Sequence, residues 1–147
     1  MSAIVCFPQI QPPVLEPTQQ GDEVIRRQVW RVLAGVYPQG QIVERRMDPR
    51  FPYPHLLYLT PVGADGISPD GESVAVVGKS LSERGLGVFY QQPIVHRRMI
   101  ASLEMQDSRW AGFLIDLTWC RFTQYGWYES GGRFIQAVPS PITHAPR

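Results

Sequence analysis

The chain has 147 residues, 44% of them hydrophobic, and its 14 basic and 13 acidic side chains leave a net charge of +1. That suits one domain with a real core and excludes the strongly basic class of DNA-wrapping proteins. No apolar run reaches the ~18–20 residues that span a bilayer, and the start MSAIVCFPQIQPP has no basic leader and an apolar stretch broken by Pro8, so neither a membrane segment nor a signal peptide is expected.

Residues 1–20 hold Pro8, Pro12, Pro13 and Pro17 among glutamines, the composition of an extended arm. Residues 21–37 follow with Ile25, Val29, Val32 and Val36 at helical spacing and Leu33 widening the stripe. The spacing predicts a helix over 22–36, with Asp22 as its N-cap, Gly35 weakening its end and Pro38 stopping it. The stripe is expected to pack on the core; its mixed charges do not suit a membrane surface.

Next comes VERRMDPRFPYP, in which Arg45, Arg46 and Arg50 crowd a segment whose prolines prevent helix. From there the pattern turns to β: HLLYLTPV, SVAVVGKS, GLGVFYQQP, HRRMIASLEM, WAGFLIDLTWCRF and GWYESGGRFIQAV, joined by short turns. Met99, Ala101, Leu103 and Met105 are expected on one face of their strand, and Phe113, Ile115, Leu117 and Trp119 on one face of the next. The glycines of the last strand suggest a bend or bulge. Short strands in this number predict a closed or nearly closed six-stranded antiparallel barrel over 43–137, mainly β with the one N-terminal helix. Residues 138–147 have no periodicity and are expected to be a loose tail.

Chemistry of the catalytic kind is not evident. There is no Gly-rich phosphate loop before a helix and no H-x-x-x-H, and His55, His96 and His144 stand singly. Asp107 beside Ser108, or Cys120 with His96, are pairings that chance supplies in any chain of this length. No enzyme, metal or cofactor is expected. Among the basic residues only Lys79 is lysine. Codon bias accounts for the excess of arginine as a whole, but the arginine fork is also the side chain that matches phosphate and base edges.

The segment GKSLSERGLGVF contains S-x-S-x-x-G, with Ser80, Ser82 and Gly85, at a strand junction. A turn explains it: serine hydroxyls bond local backbone and Gly85 accepts positive φ. Yet R-x-x-x-R before the first strand (Arg46, Arg50), then D/N-x-S-x-x-G about 30 residues later, together resemble the signature of the PilZ family. The ending WCRFTQYGWYESGGRF is similar to the last hairpin of that family, and the resemblance covers about residues 43–137. It implies a six-stranded barrel that binds the bacterial second messenger cyclic di-GMP, with Arg45, Arg46, Arg50, Ser80, Ser82 and Gly85 as ligand-binding residues. It further implies signalling to a protein partner when the Arg segment orders on the ligand, in the cytoplasm, with no DNA as partner. Ser80 stands where the family has Asp or Asn. A neutral acceptor there in place of a charged one weakens a guanine contact by ~1 kcal/mol, or about five- to tenfold. Two other readings stay open: a degenerate barrel of this kind used only for protein interaction, and an unrelated small barrel for RNA or single-stranded DNA. Aromatics exposed on one strand face would favour the last, and near-zero net charge counts against it.

Cys6 and Cys120 are the only cysteines, far apart and without a C-x-x-C, which suits free thiols in a reducing compartment. Mass and melting temperature are therefore expected to be the same with and without reductant. A native Cys6–Cys120 crosslink would overturn the cytoplasmic expectation.

Overall fold

A computed structural model of the chain describes residues 19–37 and 50–143. Seven strands follow one helix: α1 (Gln19–Val36), β1 (Phe51–Pro52), β2 (Leu56–Pro61), β3 (Val74–Leu81), β4 (Gly85–Tyr90), β5 (Arg98–Glu104), β6 (Trp110–Phe122) and β7 (Tyr128–Pro139). Six of them close a ring in the order β3–β2–β5–β6–β7–β4 and back to β3, every pairing antiparallel. The expected six-stranded barrel is thus present, and closure leaves no open edge around the ring. β1 lies outside it, where Phe51 and Pro52 pair with Leu81 and Ser80 at the end of β3.

The interior follows the period of two. Met99, Ala101 and Leu103 of β5 and Phe113, Ile115 and Leu117 of β6 are buried. Phe113 stacks on Phe134 with ring centroids 4.5 Å apart. Burial of this kind contributes ~1.5–3 kcal/mol for each large side chain. The alternation then fails, and Trp119, expected inside with Leu117, is 43% exposed. The register of β6 against β7 shifts between Leu117 and Trp119, so Thr118 is an extra residue that turns Trp119 outward and Cys120 inward.

Helix α1 buries Ile25, Val29, Val32 and Leu33, the expected stripe, mainly against β7. It starts at Gln19, ahead of the expected residue 22, and takes Gln19 and Gln20 from the expected arm. Asp22 then sits in the first turn, where its charge suits the positive helix end, and is not the N-cap. Arg26 pairs with Glu83 at 3.3 Å and Arg31 with Asp107 at 3.6 Å, so the helix lies across the barrel end formed by the β3–β4 and β5–β6 turns. The rest of the arm, residues 1–18, is outside the described residues.

The expected loose tail is corrected for residues 138–143. Val138 and Pro139 still pair with β6 in the last rungs of β7. Beyond them the Ser140 hydroxyl donates to Ser102 Oγ at 2.7 Å, and Ile142 is buried. The chain after β7 therefore covers part of the outer face of β5. A turn and a single isoleucine have no periodicity, so the pattern could not reveal it. Ile142→Ala is expected to cost about 2 kcal/mol and to lower the melting temperature by roughly 5–8 °C. A thermal melt indistinguishable from wild type would mean that this segment contributes nothing to the fold.

Candidate functional site

The outer face of β3, β4, β7 and β6 carries the site, and glycines shape it. One cross-strand rung reads Ser80, Gly87, Gly131, Trp119, and the next reads Val77, Phe89, Glu129, Arg121. In the first rung the two central strands have no side chains. A Cβ on Gly131 would stand 2.1 Å from Trp119 Nε1 and one on Gly87 2.9 Å from Ser80 Oγ. The indole thus lies over the bare backbone of β7, and a groove of about 530 Å³ opens beside it.

Two irregularities aim the side chains around this groove. The β3–β4 register shifts between Gly78 and Ser80, so Lys79 and Ser80 both reach the outer face. The Thr118 bulge does the same for Trp119. The next turn is built by Ser82, whose Oγ accepts the N–H groups of Arg84 and Gly85, each at 3.2 Å. Its backbone N–H donates to the Gly85 carbonyl at 2.9 Å, which closes the turn tightly.

Of the residues expected in the site, Arg50, Ser80, Ser82 and Gly85 line this one groove. Arg45 and Arg46 are outside the described residues. Ser82 is buried and serves the turn, as the local reading of its hydroxyl required. Gly85 does not have the positive φ expected of it. Its need for glycine is close approach: a Cβ there would meet the Gly132 carbonyl oxygen at 2.1 Å. Ser80 Oγ has no hydrogen-bond partner among the described residues and faces the groove. Sequence reasoning did not place Lys79, Arg84, Arg133 and Trp119 in the site, and they also line the groove. No periodic signal marked Trp119, because the apolar alternation through Phe113, Ile115 and Leu117 runs on to it and the extra residue Thr118 leaves no trace in that pattern.

Glu129, almost fully buried, organises the second rung. Lys79 Nζ donates to its Oε2 at 2.5 Å and Arg121 to its Oε1 at 2.8 Å, from the two sides of β7. Burial alone would push the Glu129 carboxyl up, but the hydrogen bonds and charges of Lys79 and Arg121 outweigh it and hold the group below its usual range. The same rung floors a second groove, of about 610 Å³, walled by Phe89, Tyr125 and Trp127.

The catalytic pairings imagined from the sequence do not form. Cys120 is buried 3.2 Å from the Tyr90 hydroxyl, while His96 is exposed. Asp107 pairs with Arg31 and Arg109. No group of three or more metal-ligating side chains occurs among the described residues, and no helix among them is long and apolar enough to cross a membrane. No family model, curated protein or solved structure matches the chain.

A carboxylate held low stabilises the fold above the ordinary glutamate range, and that stability is lost as pH falls through the lowered value. Glu129→Gln is expected to cost ~1 kcal/mol near pH 7, since both cations are half exposed and rehydrate. The variant should also lose less stability than wild type between neutral pH and about pH 3. Urea unfolding at several pH values measures both. Parallel pH profiles for the two proteins would show that the bridge carries no stability.

Proposed function

We propose that this chain is a receptor of the PilZ kind, which binds cyclic di-GMP and passes the binding event to a protein partner. The observation that carries the reading is convergence. Arg50, the second arginine of the R-x-x-x-R motif, lines the same groove as Ser80, Ser82 and Gly85, although about 30 residues separate the two motifs.

The groove has the chemistry that such a ligand needs. Cyclic di-GMP presents two phosphates and two guanines. Arg50 and Arg133 offer guanidinium forks that bind phosphate oxygens, or guanine O6 and N7 on one edge, through paired N–H donors. Ser80 Oγ accepts a guanine N–H. Trp119 supplies a plane on which a base can stack. The glycine rung lets the ligand approach the backbone of β4 and β7 closely. The motif adds Arg45 and Arg46 to these ligand-binding groups, and the surface that the ligand orders is what a partner would read.

Isothermal titration of the full chain with cyclic di-GMP, beside GTP and cyclic AMP, tests the reading. Saturable binding of cyclic di-GMP alone is expected. Arg50→Ala should weaken it by about 2 kcal/mol, or roughly 30-fold, with no change in melting temperature, because the side chain is exposed. Ser80→Asp should tighten it about five- to tenfold. Absence of binding at high micromolar ligand would sink the reading and leave a barrel used for protein interaction.

A further inference from the structure

The two grooves are one surface. Lys79 lines the first, and its Nζ lies 5.7 Å from the centroid of Phe89, which walls the second. Arg121 lines the second, and its guanidinium lies 5.9 Å from the centroid of Trp119, which walls the first. Same-face residues two apart on a strand are about 6.7 Å apart, so these rungs are direct neighbours.

Charge on this surface is segregated. Arg50, Lys79, Arg84 and Arg133 line the first groove and Arg121 the second, against Glu129 as the one acid among the described residues of either lining. Glu129 is committed to Lys79 and Arg121. Arg50, Arg84 and Arg133 form no ion pair among the described residues. Two further acids among the described residues border this lining, and both are engaged from outside it: Glu83, between Ser82 and Arg84, by Arg26 and Trp30 of the helix, and Asp116, opposite Arg133 in register, by Arg98. Large aromatics are exposed on the same side: Trp119 at 43% and Tyr125 at 80%.

We propose that this continuous surface binds single-stranded nucleic acid, with its bases stacked on Trp119, Tyr125 and Trp127 and its phosphates on Arg50, Arg84 and Arg133. Unpaired bases supply faces that stack on any aromatic side chain, and a polyanionic backbone seeks such a cluster of guanidinium groups. Low net charge argues against a nucleic-acid partner only when charge is spread evenly. Here it is not. A proline-rich peptide would suit the second groove alone and would leave the three arginines of the first unused. A strand several nucleotides long uses both grooves. The activity is separate from cyclic di-GMP binding, because that ligand needs only the first groove and a strand also needs the aromatic wall of the second.

Fluorescence anisotropy with labelled oligo(U) and oligo(dT) of about 12 nucleotides, titrated with the full chain, tests it. Saturable binding is expected, with log K falling against log salt by about 2 or more, as three or more phosphate contacts require. Tyr125→Ala, a change at an exposed tip that leaves the fold intact, should weaken it about fivefold or more, and Trp127→Ala further. Equal binding of the two oligonucleotides fits base stacking, and preference for oligo(U) adds a 2′-hydroxyl contact. Tyr125→Ala should leave the cyclic di-GMP titration unchanged, so the two activities fail separately. No saturable binding at low salt, or binding indifferent to both aromatic substitutions, would overturn the proposal. So would capture of a proline-rich peptide with no oligonucleotide binding, which would assign the second groove to protein.

Discussion

The barrel closes through β4, and β4 can sit between β3 and β7 because four glycines keep their strands bare. On the outer face Gly85 passes the Gly132 carbonyl at a distance no side chain allows, and Gly87 and Gly131 lie side by side under Ser80 and Trp119. On the inner face a Cβ on Gly132 would stand 2.6 Å from Ile115 Cδ1. Omission of side chains on both faces serves closure and core packing together. It costs conformational entropy, roughly 0.5–1 kcal/mol for each glycine relative to alanine. The groove is the outward consequence of the same omission.

A surface so bare is given direction by charge. Glu129 reaches its partners across β7, Lys79 from a bulge of β3 and Arg121 from β6, and so ties three strands of the barrel at one rung. Each cation also faces an aromatic ring, Lys79 that of Phe89 and Arg121 that of Trp119. A buried carboxylate with only one partner would be strongly unfavourable; with two it is held ionised. Arg98 and Asp116 make a further pair, joined by hydrogen bonds of 2.8 and 3.1 Å between β5 and β6, with Asp116 opposite Arg133 of β7 in register.

The helix matters to the site through two side chains, Glu83 and Phe51. Glu83 lies inside the Ser82 turn that borders the first groove, and both Arg26 and the Trp30 indole N–H reach it from α1. Trp30 also meets Phe51 edge to face at 5.7 Å, next to the residue, Arg50, that enters the groove. The element outside the ring therefore holds two sides of the candidate site in place. Aromatic packing contributes more to this than the exposed ion pair does.

Much of this was legible from periodicity. The stripe of Ile25, Val29, Val32 and Leu33 required a packed helix, and the alternation in β5 and most of β6 required strands with one face inside, because helical and strand periods depend only on local geometry. Short strands in series pointed to closure, and the motif spacing singled out Arg50, Ser80, Ser82 and Gly85. What periodicity cannot carry is an extra residue. One residue at Thr118 reversed the face of Trp119, and one at Lys79 turned a lysine of no evident role toward Glu129, fifty positions away. Nor could the chain's even balance of charge reveal its segregation, since the cations of this face come from strands distant in sequence. The sequence by itself determined the elements and the residues that must lie inside them. Only the tertiary structure decided which side chains share a surface, because that depends on bulges and strand crossings whose energies arise between segments and not within them.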